Sequence, residues 1–122
     1  MDMDVSAITG DAPVLDIRAL ERVQRIGGLQ LVQRMIRAFL EHVPARVDAL
    51  LASASALDAA RAAHAIKSSA GNLGLERLRL IVREIEARAE LGDETWSELR
   101  MYVAGEIDAA RPVLEVHLER SE

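Results

Sequence analysis

The sequence holds no cysteine, three aromatic residues and one lysine among 122 positions. Each shortage excludes something. Without cysteine there can be no disulfide frame, thiolate zinc site or cysteine nucleophile, a usage that fits a reducing compartment. Phe39, Trp96 and Tyr102 are the only aromatics. A sandwich or barrel would want more of them, and more Val, Ile and Thr. No uncharged apolar run approaches the ~20 residues of a membrane helix. Met1-Asp2-Met3-Asp4 is acidic where a secretory signal is basic. The formal charge of -5 argues against nucleic acid as the main partner, because phosphate binding needs a basic face. The expectation is a soluble, cytoplasmic chain with neither nucleic acid nor membrane as partner.

Alanine (20) and leucine (16) dominate what is present, and both are strong helix formers. The basic set is lopsided, with fourteen arginines against Lys67. Residues 1–13 read as a loose acidic leader without periodicity, and 14–122 as one bundle domain. Asp16 is a plausible N-cap for a short first helix carrying Ile17, Leu20 and Val23 inward, and Gly27-Gly28 breaks it. Leu29, Val32, Ile36, Phe39, Val43, Val47 and Leu50 recur at steps of three and four, the stripe of a long helix. Pro44 should bend that helix near Leu40.

Ser53 or Ser55 can cap a third helix, and Ser55 with Asp58 resembles a capping box. Its buried edge is small: Ala59, Ala63, Ile66, Ala70 and Leu73. A fourth helix runs from about Leu75 to Leu91, with Leu78, Val82, Ile85 and Ala89 inward. Thr95 with Glu98 suggests a capping box for a last helix with Leu99, Val103, Ile107, Ala110 and Leu114 inward. The pattern predicts an all-α fold. It is an antiparallel up-down four-helix bundle with an additional short N-terminal helix, expected to be monomeric.

Three histidines could carry chemistry. His42 sits beside its helix stripe, and His117 near a helix C-terminus where a partly charged imidazole suits the dipole; both read as structural. His64 differs in geometry. At about 100° per residue it lies about 160° from Ile66, pointing away from the core. Arg61 at i−3, Lys67 at i+3, Ser68 at i+4 and Gly71 at i+7 share its outer face. A solvated face that happens to contain Gly and Ser would look the same, and spacing alone leaves both readings open.

On the functional reading, flanking positive charge favours the neutral imidazole, a nucleophile that attacks phosphorus among other electrophiles. Lys67 and Arg61 could then offset the charge of a phosphoryl group, while Ser68 and Gly71 keep the surface low for another protein. No carboxylate lies at i±3 or i±4 of His64, no Glu-x-x-His pair exists, and the glycines never fall into a nucleotide-binding spacing. The catalytic machinery would have to come from a partner.

The segment Ala63-His64-Ala65-Ile66-Lys67-Ser68-Ser69-Ala70-Gly71-Asn72-Leu73-Gly74 resembles the signature of histidine-containing phosphotransfer domains. That signature is roughly His-x-Leu-Lys-Gly, then small residues, then Gly about ten positions after the His. His64, Ile66, Lys67 and Gly74 match in type and spacing. The likeness extends to Val14-Leu15-Asp16, to Phe39-Leu40-Glu41-His42-Val43-Pro44 and to the stretch Leu75 to Glu86. Ser68 stands where glycine is usual, and Ser55 where an acidic residue is common.

The resemblance implies that His64 takes a phosphoryl group from an aspartyl phosphate on one receiver domain and passes it to another. Lys67 would steady the group, Ser68 and Gly71 would admit the receiver, and the receiver would supply the acidic pocket and Mg²⁺, leaving this chain without a cofactor of its own. Two alternatives stand beside it: a phosphodonor domain phosphorylated directly by a histidine kinase, and a receiver-binding helical adaptor without phosphotransfer. Hybrid histidine kinases are further candidate partners. The Met1 start and lack of a C-terminal linker favour a free-standing protein.

Overall fold

The structure is a computed structural model that describes residues 5–121. Four long helices carry the fold: α2 (Ile17–Leu51), α3 (Ala56–Leu73), α4 (Glu76–Glu90) and α6 (Val103–Leu118). Two short ones, α1 (Ser6–Thr9) and α5 (Trp96–Leu99), precede α2 and α6. No strand occurs among the described residues. In the bundle α2 packs on α3, α3 on α4, α4 on α6, and α6 back on α2, and short turns make successive helices antiparallel.

Every residue of the long α2 stripe from Leu29 to Leu50 is buried. The Asp16 carboxylate accepts the Arg18 backbone N–H at 3.1 Å, capping the helix. A hydrogen bond from the Arg18 side chain to the same carboxylate holds its pKa down at about 2. The expected break falls at Gly28, whose φ of 75° and ψ of 179° are open to glycine but strained for other residues. Across Pro44 the backbone stays helical, so the interruption of α2 is at the glycine.

The α3 edge is buried as its pattern predicts, through Ala59, Ala63, Ile66, Ala70 and Leu73. The Ser55 hydroxyl accepts the Asp58 N–H at 3.2 Å at its start. Gly74 ends it in the left-handed conformation, φ 77°. Small side chains on α3 let α4 approach closely, and α4 answers with Leu78, Ile81, Val82, Ile85 and Ala89.

Two expectations need correction. Thr95 and Glu98 form no capping box: Asp93 Oδ1 instead accepts the Thr95 N–H at 3.0 Å and its hydroxyl at 2.6 Å. The last helix is also split, by a 3₁₀ turn over Arg100–Tyr102. At the split, the Arg100 guanidinium donates to the carbonyls of Leu50, Leu51 and Ser53 at the C-terminus of α2. It lies 4.8 Å from the centre of the Trp96 ring, a cation–π distance. The inward stripe survives the split, with Leu99, Val103, Ile107, Ala110 and Leu114 all buried.

The leader is also more ordered than its composition suggests. Val5 and Ile8 pack against the core and Thr9 is 3% exposed. The segment is too short for periodicity to show, yet Val5 and Ile8 lie one turn apart and share a face. Met1–Asp4 lie outside the described residues.

Candidate functional site

His64 stands in the middle of α3 on the face opposite the buried edge. The side chain is 62% exposed, while Ala63 and Ile66 beside it are fully buried. The outward orientation expected from the helical phase is therefore present.

What surrounds the ring differs from a purely cationic, small-residue setting. Glu86, on α4, places Oε2 2.7 Å from His64 Nδ1. Its other oxygen, Oε1, accepts a hydrogen bond from Lys67 Nζ. Glu86 is only 12% exposed. Burial pushes its carboxyl pKa up, but the hydrogen bonds from Lys67 and His64, with their charges, outweigh that and leave it below the usual value. An ionised carboxylate only accepts hydrogen bonds, so Nδ1 must carry the proton donated to it. In the neutral ring this tautomer leaves the lone pair on Nε2, the nitrogen not engaged by Glu86.

Glu86 lies outside the helical turn on either side of His64 in sequence. It arrives from the next helix, because residues at similar distances from a helical-hairpin turn face each other. His64 lies ten positions before Gly74 and Glu86 twelve after it. That symmetry about the turn is the signal that could have found it.

The other expected residues fall as follows. Lys67 reaches the site but is ion-paired with Glu86 and 29% exposed. Arg61 is exposed and forms no hydrogen bond or ion pair with the described residues, so the structure does not tie it to the trio. Ser68 is exposed and Gly71 partly so. A methyl group at Gly71 would meet only the Arg79 Cδ at 3.5 Å, an ordinary contact. Glycine inside a helix costs about 1 kcal/mol relative to alanine, so folding does not explain its presence there.

The remaining histidines are elsewhere. His42 borders a cleft of about 200 Å³ between α2 and α3, with Phe39, Arg46, Ser69 and Asn72. His117 Nδ1 accepts from Arg120 at 3.2 Å. Burial, then the nearby Arg120 charge, lowers its pKa, which corrects the expectation of a partly charged ring. Among the described residues no three His, Cys, Asp or Glu side chains are grouped to hold a metal ion. No described helix is long and apolar enough to cross a membrane.

No characterised protein and no solved structure shows significant similarity to the chain. A family model does match. It covers residues 34–115, which includes most of the long α2 stripe, the His64–Lys67–Glu86 trio and most of α6. An exposed histidine on a bundle helix, held by a carboxylate that also pairs with a lysine, is thus set in the fold that this match names. The chain belongs to the Hpt domain family, phosphocarrier modules that act in histidine phosphotransfer with receiver domains as partners.

Proposed function

We propose that His64 is the phosphoacceptor and that its Nε2 is the reacting atom. The observation that supports this most is the hydrogen bond between Nδ1 and Glu86, because it selects the tautomer whose free lone pair is on Nε2. In the forward step Nε2 attacks the phosphorus of a receiver's aspartyl phosphate. The Nε2–P bond forms, the P–O bond to the aspartate breaks, and the carboxylate leaves with the electron pair. The ring becomes cationic, and Glu86 at Nδ1 offsets that charge in a partly dry setting. The reverse sequence delivers the group to a second receiver.

Lys67 has three donor hydrogens and spends one on Glu86, so it can offer another to the phosphoryl oxygens. Arg61, one turn before His64, is a second cation free to swing toward the group. Ser68 and Gly71 keep the surface beside the ring low enough for a receiver to close over it. A receiver would bring its own Mg²⁺, which would offset the charge of the transferring group. A histidine kinase that phosphorylates the domain directly would use the same nitrogen.

Incubation with a phosphorylated receiver and Mg²⁺ tests the proposal. The wild-type chain should gain an acid-labile, base-stable phosphoryl group, and His64→Gln should gain none. Equal labelling of the variant sinks the assignment.

A further inference from the structure

The segment before α2 touches the bundle where the geometry of the trio is decided. At the α3–α4 turn the Asp16 N–H donates to the Gly74 carbonyl at 2.8 Å, and the Arg77 N–H donates to the Pro13 carbonyl at 3.3 Å. The approach at Gly74 is so close that a Cβ there would lie 2.5 Å from the Asp16 carbonyl oxygen and 2.7 Å from the Ala19 Cβ. Further along α4, Ala7 and Ile8 of α1 lie beside Leu80, Arg83 and Glu84. Leu80 is about 120° round the helix from Glu86. The segment thus holds α4 at its base and again near its middle, on a different side from the one that meets His64.

Leverage makes this matter. Glu86 is ten residues beyond the start of α4, about 15 Å along the axis at 1.5 Å per residue. A tilt of about 4° at the turn would move its carboxylate by about 1 Å, enough to carry a hydrogen bond out of range. One carboxylate must satisfy two partners on α3 at once, so its tolerance is narrow.

We propose that residues 5–16 form a positioning strap for the trio, setting the tilt of α4 so that Glu86 reaches both His64 Nδ1 and Lys67 Nζ. Its consequence for phosphotransfer rests on His64 being the acceptor; the positional effect does not. The strap lies outside the span matched by the family model, residues 34–115.

The test is ¹⁵N NMR of the His64 ring, recorded above the imidazole titration range, on the folded full-length chain. Glu86→Ala gives the shifts of an unanchored ring. The double variant Val5→Ala/Ile8→Ala loosens the strap without touching α3 or Glu86, and should move the His64 shifts toward the Glu86→Ala values. Leu114→Ala, in the core of α6, is a destabilised control and should leave them at the wild-type position. Ring shifts of the double variant that coincide with wild type overturn the proposal, and so does an equal movement in Leu114→Ala. Because the ring is read without any transfer, failure of this claim is distinguishable from failure of the phosphoacceptor assignment.

Discussion

Glu86 Oε2 lies 2.7 Å from His64 Nδ1, and the same carboxylate holds Lys67 through its other oxygen. One partly buried acid therefore orients the ring and restrains the lysine. Removing it should harm the chemistry more than the fold. A hydrogen bond to a charged group contributes about 1.5–3 kcal/mol, a factor of about 10 to 100 in rate if it is fully used in the transition state. Glu86→Ala should slow acquisition of the phosphoryl group by about that factor with the helical circular dichroism unchanged. Glu86→Gln should fall between, since its amide oxygen can still accept from Nδ1 without carrying charge. Wild-type rates in both would show that the ring needs no anchor.

The lowered Glu86 pKa also fixes a pH dependence. A carboxyl with a folded pKa below its unfolded value contributes stability that is fully present above the unfolded pKa, near 4.3 for a glutamate, and is lost as pH falls through the folded one. Urea denaturation of wild type and Glu86→Gln should therefore differ most near neutral pH. The gap should close in acid, below the ordinary glutamate range. A gap that widened in acid would mean the carboxyl is destabilised by folding.

Two glycines ten and seven positions after His64 should behave oppositely. At Gly74 a side chain meets backbone oxygen at 2.5 Å in a left-handed conformation. That conformation alone costs roughly 1–2 kcal/mol for other residues. Gly74→Ala should lower stability by at least about 2 kcal/mol, clash included. Gly71→Ala meets only an ordinary contact and should raise stability by up to about 1 kcal/mol. A bulky residue at Gly71 should keep the fold and weaken phosphotransfer from the receiver. Thermal melts beside transfer assays separate the two roles.

Arg100 offers a control away from the trio. Its guanidinium satisfies three carbonyls at the end of α2. Arg100→Ala should cost about 1.5–3 kcal/mol of stability and leave the rate of His64 phosphorylation in the folded protein unchanged. A selective loss of rate would couple that end of the bundle to the site.

The four long helices, most of their inward stripes and the outward histidine were legible in the sequence, because burial follows a period of 3.6 and His64 lies off the phase of Ile66; Ile17, expected inward at the start of α2, is instead 42% exposed. Gly28 announced its break, since positive φ favours glycine. What stayed hidden depended on contacts between elements. Glu86 reaches His64 only once α3 and α4 are folded back on each other. Arg100 splits the last helix where it caps carbonyls about fifty residues away. Val5, Ile8 and Thr9 gain order from surfaces built by later residues. Asp93, two residues before Thr95 in the turn, takes both Thr95 donors in place of the expected box.

The most direct measurement of the central claim is to locate the phosphoryl group on the labelled chain by ³¹P and ¹H–¹⁵N NMR, using wild type and His64→Gln. A single phosphohistidine, at His64 Nε2, is expected in wild type, with no label in the variant. Label on Nδ1, on His42 or His117, or at undiminished level in His64→Gln would contradict it.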